Sequence, residues 1–172
     1  VVLQHPVTTE YNDTTFQIEQ TLSAIQKINY PTFWFWPNVD AGSDKISKSI
    51  RNHRENKDLE NVYFLKNISP EDFIKLMVNA KCLIGNSSAG IRECSYIGTP
   101  VVNIGNRQLG REKGLNVLDS EYDWSTILQS TEKQMSNDRY PQNNLYGDGS
   151  AGIKISKLLE EQYPSIYKKL SY

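Results

Sequence analysis

The sequence predicts an α/β protein built on a Rossmann-like, doubly wound parallel sheet. Short apolar runs alternate along the chain with stretches that have helical periodicity. These runs are too uniformly apolar to expose one face to water, which is typical of parallel strands covered by helices on both sides. The 172 residues also suffice for one domain with a substantial core.

Six runs are predicted to be strands because they are rich in apolar and β-branched residues and end at turn residues. Right-handed crossovers between consecutive strands of this kind give a doubly wound layer. The predicted strands cover residues 1–3, 32–36, 61–65, 82–84, 100–104 and 116–118.

Three helices are predicted in the first half of the chain. The first begins near Thr14, which has capping-box spacing to Gln17. The second covers about residues 43–54. The third has a strong start at Ser69-Pro70, with serine as the cap and proline at the first helical position.

Two further helices are predicted in the second half. One follows Gly85-Asn86-Ser87-Ser88 and continues to about Ile97. The last covers residues 151–161. Between them, residues 134–150 are polar and are predicted to form an irregular surface connection. The apolar positions of the last helix are Ile153, Ile155, Leu158 and Leu159.

Composition excludes several classes of partner. With a net charge of -1 and 19 scattered basic residues, the chain has no long-range attraction to nucleic acid or to an anionic membrane. No apolar stretch has the length of a membrane span and no signal-peptide pattern occurs. Cys82 and Cys94 have no second Cys or His at metal-ligand spacing, so we expect free thiols, a cytoplasmic location and no metal. A chain that begins at Val1 directly in a strand is expected to be a segment of a longer protein.

The most informative motif connects the fourth predicted strand to a helix and spans residues 85–93. Backbone N–H groups at the start of a helix lack partners and lie at the positive end of its dipole, which favours phosphate. Ser87 and Ser88 add hydroxyls there, and Glu93 follows more than one turn later, where a carboxylate can accept hydrogen bonds from a ribose diol. The alternative is that the motif is only a turn and an N-cap.

Three other predicted strands also end in unusual polar loops. Ligands bind beyond the carboxyl ends of the strands in such sheets, where these loops meet. Each loop alone has a structural explanation as a turn, a cap or a surface charge, but together a His, an Arg and a helix start describe a pocket for a diphosphate. The loops carry His5, then Asn38 with Asp40-Ala41-Gly42-Ser43, and then Gly105-Asn106-Arg107-Gln108 with Arg111.

Motifs of other ligand classes are absent from the sequence. No GxGxxG follows the first strand, and neither GxxxxGK[ST] nor GxSxG occurs, so no dinucleotide cofactor, NTPase or hydrolase elbow is supported. We therefore expect no cofactor. The second histidine, His53, lies among charged residues and is expected to be solvated.

Taken together, these motifs resemble the hydrolysing UDP-N-acetylglucosamine 2-epimerases, the family of bacterial sialic-acid-pathway enzymes and of their animal bifunctional relative. The Asn-Ser-Ser form of the central loop resembles the hydrolysing branch, since the non-hydrolysing branch has a Ser-Gly-Gly type loop there. The similar segments come in family order and cover residues 4–6, 37–43, 84–93, 98–103, 107–112, 116–118 and 146–149.

The resemblance implies that residues 1–172 form the C-terminal, UDP-binding half of a two-domain glycosyltransferase-B fold. It also implies that backbone groups of residues 65–68 hold the uracil ring. The implied substrate-binding residues are His5 and Arg107 at the phosphates of the departing UDP, Ser87 and Ser88 at the diphosphate, Glu93 at the ribose hydroxyls and Asn38 near the sugar–phosphate region.

The chemistry implied by the resemblance is elimination of UDP from a UDP-sugar followed by hydration, which releases N-acetylmannosamine and UDP. The acid/base carboxylates lie in the N-terminal half of such enzymes, so this chain alone is expected to be inactive and to need that half as a partner. The full-length protein is expected to be a homo-oligomer. Two alternatives remain open, a related UDP-N,N'-diacetylbacillosamine 2-epimerase and a stand-alone UDP-binding module without catalysis.

Overall fold

A single parallel sheet organises the computed structural model, which describes residues 1–56 and 58–161. Its strands are β1 (Val2–Leu3), β2 (Thr32–Phe35), β3 (Val62–Leu65), β4 (Leu83–Gly85), β5 (Val101–Ile104) and β6 (Val117–Ser120). They are ordered β3-β2-β1-β4-β5-β6, and every neighbouring pair is parallel. The order reverses between β1 and β4, which is the switch point of a doubly wound fold. The predicted fold class is confirmed, with strand ends that differ from the predicted ones by one or two residues.

Helices cover both faces of this sheet. They are α1 (Thr14–Ile28), α2 (Ser43–Glu55), α3 (Pro70–Asn79), α4 (Ser88–Ile91), α5 (Glu93–Ile97), α6 (Trp124–Ser136) and α7 (Ala151–Glu161). Successive residues of a strand point to opposite faces, so Ile84 and Val102 pack with α1, α2 and α6, whereas Leu83 and Val101 pack with α3 and α5. Each face therefore has its own apolar core.

Helix α6 is the main element that the sequence pattern does not predict. Asp123 caps it by accepting hydrogen bonds from the N–H groups of Ser125 (3.1 Å) and Thr126 (2.9 Å). The buried Gln134 donates to the carbonyls of Val101 (2.8 Å) and Asn116 (2.9 Å). The prediction of an irregular connection from residue 134 was therefore wrong at its start, because a polar side chain faces the sheet there and conceals the helical periodicity.

Two local predictions were also wrong. Thr14 and Gln17 do not form a capping box, because a short 3₁₀ helix (Thr8–Asp13) precedes α1 and Gln17 Nε2 donates to Glu10 Oε2 at 2.6 Å. His53 is not fully solvated, because its Nε2 lies 2.8 Å from Glu19 Oε2 and its side chain is only 18% exposed.

Helix α7 is the last described element of the chain. The apolar side chains of this helix, Ile153, Ile155, Leu158 and Leu159, are 53–69% exposed. This helix therefore presents an apolar surface that the described residues do not cover. None of the described helices combines the length and apolarity that a membrane span requires.

Gly85 ends β4 where the main chain of β1 passes very close. Leu3 is its register partner, and a Cβ on Gly85 would lie 2.1 Å from the Leu3 carbonyl oxygen. The φ of Gly85 is +134°, which L side chains rarely adopt. Only glycine allows the two central strands to approach each other at this point, directly before the motif that starts at Asn86.

Candidate functional site

The loops after β1, β4 and β5 meet at the switch point, as the sequence predicts. The His5 N–H donates to Asn86 Oδ1 at 2.8 Å, and Asn86 Nδ2 donates to the His5 carbonyl at 2.8 Å. Arg107 Nη1 donates to the carbonyl of Asn86 at 3.2 Å. Since Ser87 follows Asn86 directly, three of the predicted ligand groups, His5, Ser87 and Arg107, are brought together around one residue.

Asn86 and Gln108 are the residues of this edge whose role the sequence did not indicate. Asn86 is fully buried and Gln108 is 2% exposed. Gln108 Nε2 donates to the Asn86 carbonyl at 2.7 Å, beside the contact from Arg107. An Asn in a Gly-Asn-Ser-Ser sequence is typical of a turn, and only the strand order shows that its amide faces the main chain after β1.

His5 is electrostatically constrained. It is 7% exposed, and its Nδ1 is buried without a hydrogen-bond partner. Burial lowers the pKa of His5, and the nearby positive charge of Arg107 lowers it further, whereas Asp40 acts in the opposite direction. The imidazole of the free protein is therefore neutral near pH 7.

The helix after β4 is shorter than predicted. Ser87 caps α4, and its Oγ accepts from the Ala89 N–H at 3.4 Å. Helix α4 ends at Arg92, whose φ of -103° and ψ of -78° interrupt the helical geometry before α5 begins. The predicted helical stretch does end at Ile97, but it consists of two short helices and not of one. A four-residue helix has only part of a macrodipole, so anion affinity here depends on the N–H groups and hydroxyls of the first turn.

Glu93 begins α5 and lies beside a large cavity. Its Oε2 is buried and has no hydrogen-bond partner. The cavity has a volume of about 850 Å³ and is lined by Glu93, Tyr96 and Tyr146 together with residues of α3. A carboxylate oxygen that is shielded from water and not bonded is an acceptor for a hydroxyl donor.

The loop after β3 forms a second cavity together with Asn38 and His5. This cavity has a volume of about 270 Å³, and Lys66, Asn67, Ile68 and Phe73 contribute to its wall. The structure thus brings Asn38 and the loop after β3 to the same edge as His5. Backbone groups and an aromatic ring can bind a planar base in such a place.

Two further residues near this edge were not identified from the sequence. Glu10 accepts hydrogen bonds from Gln17 and from Asn106, and so connects the 3₁₀ helix to the loop after β5. Tyr122 packs against Gly105, and its buried hydroxyl has no partner. Burial raises the pKa of Tyr122 to about 12, so the phenol is neutral. Glu10 precedes the first predicted helix and Tyr122 follows the last predicted strand, and no motif marks either residue in the sequence.

The two cysteines and the acidic residues do not add a second kind of site. Cys82 and Cys94 are buried free thiols whose pKa values burial raises to about 12. Among residues 1–56 and 58–161, no three His, Cys, Asp or Glu side chains are arranged to hold a metal ion.

The sequence matches a known protein family along nearly its whole length. Residues 1–160 match the family described as UDP-N-acetylglucosamine 2-epimerase. The UDP-N,N'-diacetylbacillosamine 2-epimerase (hydrolyzing) of Legionella pneumophila is 29% identical over 160 residues, which are 93% of this chain and 42% of that protein. The UDP-N-acetylglucosamine 2-epimerase of Neisseria meningitidis is 26% identical over 156 residues, which are 91% of this chain and 40% of that protein. The chain thus spans less than half the length of these relatives.

A solved structure has the same fold. The UDP-GlcNAc 2-epimerase of Methanocaldococcus jannaschii, in complex with UDP-GlcNAc and UDP, superposes with a TM-score of 0.70 at 12% identity. The match covers 94% of this chain and 45% of that one. The described residues therefore form a domain equivalent to about half of such a protein.

We predict that His5 titrates below the ordinary histidine pKa of about 6.5 and that Arg107→Gln raises its pKa, because one source of the lowering is removed. The His5 pKa is lower in the folded chain than in the unfolded chain, where it is about 6.5. Between these two values the unfolded chain binds more protons, so the free energy of unfolding falls as the pH drops below about 6.5. His5→Gln removes this dependence. NMR titration of the imidazole, with His53→Gln to assign the signals, measures the effect. A His5 pKa at or above 6.5 contradicts the burial argument.

Proposed function

Because this chain belongs to the UDP-N-acetylglucosamine 2-epimerase family, we propose that it is the C-terminal, UDP-binding half of a hydrolysing UDP-N-acetylglucosamine 2-epimerase. The full-length enzyme converts UDP-N-acetylglucosamine to N-acetylmannosamine and UDP. The observation that carries the proposal is the convergence of His5, Ser87 and Arg107 on Asn86 at the switch point, where doubly wound folds bind their ligands.

The diphosphate binds at this convergence. Arg107 supplies a permanent charge with a forked set of donors, of which the contact with Asn86 uses only Nη1. Ser87 and Ser88 supply hydroxyls beside the free N–H groups at the start of α4. His5 binds as a neutral donor or gains a proton when the dianion approaches. These groups stabilise the charge that develops on UDP as its bond to the sugar breaks.

The ribose of the nucleoside binds at Glu93, and its uracil ring binds at the loop after β3. The unpartnered Oε2 of Glu93 accepts a hydrogen bond from the ribose diol, which resolves its buried and unbonded state. The uracil ring binds along the loop after β3, in the cavity that Asn67, Ile68 and Phe73 help to line. Asn38 shares that cavity and lies toward the sugar–phosphate region.

The chemistry needs a second half that this chain does not contain. Elimination of UDP across C1 and C2 of the sugar requires a base for the C2 proton, and hydration of the glycal requires a proton donor. Those groups belong to the N-terminal half, so we expect the chain by itself to be inactive. The exposed apolar side of α7 supports contact with that half. A cytoplasmic homo-oligomer remains our expectation for the whole protein.

Two other functions compete with this proposal. The likeness to the Legionella pneumophila protein supports a UDP-N,N'-diacetylbacillosamine 2-epimerase, which differs at C4 and C6 of the sugar rather than in the UDP site. A stand-alone UDP-binding module is disfavoured because the relatives are more than twice as long as the matched region.

The full-length protein should release N-acetylmannosamine from UDP-N-acetylglucosamine. Its products with that sugar and with UDP-N,N'-diacetylbacillosamine, separated by chromatography and compared at equal enzyme concentration, decide between the two substrates. Turnover of the second sugar alone would assign the competing activity. The 172-residue chain assayed in parallel should release no UDP from either sugar.

The 172-residue chain should bind UDP at least about tenfold more tightly than UMP, and uridine more weakly still. The second phosphate completes the contacts with Arg107 and the start of α4. Arg107→Lys should reduce the preference for UDP although the charge is kept, because the forked donor geometry is lost. Arg51→Lys, at an exposed arginine of α2 outside these loops, is the control. Calorimetry that gives equal affinities for uridine and UDP would remove the phosphate site.

Glu93→Gln should weaken UDP binding by about 1–3 kcal/mol, the typical effect of losing a charged acceptor. With 2′,3′-dideoxy-UDP the same substitution should have little effect. The unliganded variant should be at least as stable as the wild type, because a partly buried carboxylate is replaced by a neutral amide, whose burial costs less. Glu132→Gln, an exposed carboxylate on α6, is the control. A penalty that persists with the dideoxy ligand would show that Glu93 acts structurally.

A further inference from the structure

We propose that Asn86 is the positioning residue of the diphosphate site, holding His5 and Arg107 in one fixed arrangement so that they act as a unit. The inference rests on the proposed function for its ligand, but its geometry is independent of any ligand. Neither residue is held by the secondary structure itself, since His5 lies beyond β1 and Arg107 beyond β5. Both are instead bonded to the residue that follows β4.

The carboxamide of Asn86 fixes the main chain of His5. It accepts from the His5 N–H and donates to the His5 carbonyl, each at 2.8 Å. The backbone N–H of Asn86 donates to the Leu3 carbonyl at 3.1 Å, which extends the β1–β4 pairing by one more bond. Two side-chain bonds and one main-chain bond leave His5 little freedom to rotate away from β4. The direction in which the His5 side chain leaves the main chain is thereby set, and the burial of the ring limits its rotamers.

The main-chain carbonyl of Asn86 fixes the loop after β5. It accepts from Arg107 Nη1 at 3.2 Å and from the buried Gln108 Nε2 at 2.7 Å. A carbonyl with two lone pairs can accept both bonds at once. Gln108 thus anchors the loop, and the guanidinium is oriented by the same oxygen. The bond from Gln108 is buried, so water does not compete for it, whereas the bond from the exposed Arg107 is only partly buried.

The side chains of Asp and Ser cannot replace this arrangement. Aspartate has the size of asparagine but has no N–H for the His5 carbonyl, and its charge would be buried. Serine is too short to reach both main-chain groups of His5. A carboxamide is the side chain that pairs with an N–H and a C=O of the same residue, as a neighbouring strand would.

Asn116 offers a closely matched control at the opposite edge of the sheet. It is 2% exposed, accepts from Ser95 Oγ (2.9 Å) and donates to the Thr99 carbonyl (2.9 Å). Its own carbonyl accepts from the buried Gln134. Asn116 therefore has bonds similar to those of Asn86, although one of them comes from a side-chain hydroxyl. Asn116 precedes β6, so it lies at the amino ends of the strands and away from the ligand edge, by which we mean the carboxyl ends of the strands. Alanine at either position should lower the melting temperature by a similar amount.

The test is a double-mutant cycle measured by calorimetry with UDP on the full 172-residue chain. Asn86→Ala should weaken UDP binding at least about tenfold, and His5→Gln should then have almost no further effect. In the Asn116→Ala background, His5→Gln should retain its full penalty. The proposal is overturned if Asn86→Ala binds UDP as Asn116→Ala does, or if the His5→Gln penalty is the same in both backgrounds.

A second readout needs no ligand and separates this inference from the proposed function. In the wild type, Arg107→Gln should raise the His5 pKa, as measured by NMR, because the two groups are held close together. In the Asn86→Ala background this response should be lost, because His5 is released from its place although the main-chain carbonyl that binds Arg107 remains. If the His5 pKa no longer responds to Arg107→Gln in this background and the wild type does not bind UDP, the positioning role is supported and the proposed UDP-binding function is rejected. An unchanged response would reject the positioning role.

Gln108→Ala provides the variant for the case in which Asn86→Ala does not fold. It removes the anchor of the loop after β5 but leaves both bonds between Asn86 and His5 intact. The UDP penalty of Arg107→Lys should then shrink, whereas that of His5→Gln should persist. If Arg107→Lys and His5→Gln both weaken UDP binding as much in this background as in the wild type, the proposal that Asn86 positions Arg107 is overturned.

Discussion

The paired hydrogen bonds between the Asn86 carboxamide and the His5 main chain are the contact on which the ligand edge of this domain depends. The two residues are 81 positions apart in the sequence, yet they are neighbours because the strand order reverses between β1 and β4. At such a reversal the connections leave to opposite faces and open a crevice. The main-chain groups beyond the strand ends would then be unpaired and partly shielded. Asn86 pairs them and so fixes the main chain at the place where we propose that the diphosphate binds.

The order Gly85, Asn86, Ser87 follows from three separate constraints. The close approach of the β1 main chain and the φ of +134° require glycine at the first position. The His5 main chain requires a carboxamide at the second. The start of α4 requires a cap at the third, and Ser87 Oγ accepts from the Ala89 N–H. Each constraint is structural, and together they place Ser87 and the start of α4 directly beside His5 and Arg107. This explains how one short segment can serve both the fold and the proposed UDP site.

The sequence predicts the parts of this fold that depend on apolar runs and strong capping residues. The strands and the start of α3 at Ser69 belong to this class, and Ser69 Oγ does accept from the Asp72 N–H. Helix α6 is not predictable in this way, because Thr131 and Gln134 are buried on its inner side and weaken its periodicity. The interruption at Arg92 and the role of Asn86 depend on residues distant in sequence. Which loops share an edge follows from local patterns, but which atoms meet there does not.

The unpartnered polar atoms of the described residues are unevenly distributed. Buried polar atoms in proteins are nearly always hydrogen-bonded, yet seven side-chain atoms here are not. Five of these seven belong to residues of the ligand edge or next to it: Gln4, His5, Glu93, Gln108 and Tyr122. Each costs stability in the unliganded domain. Their concentration near the carboxyl ends of the central strands coincides with the residues of the proposed UDP site. Glu93 lines the cavity of about 850 Å³, so a ribose diol bound as proposed would give its carboxylate the missing partner and would relieve part of that cost.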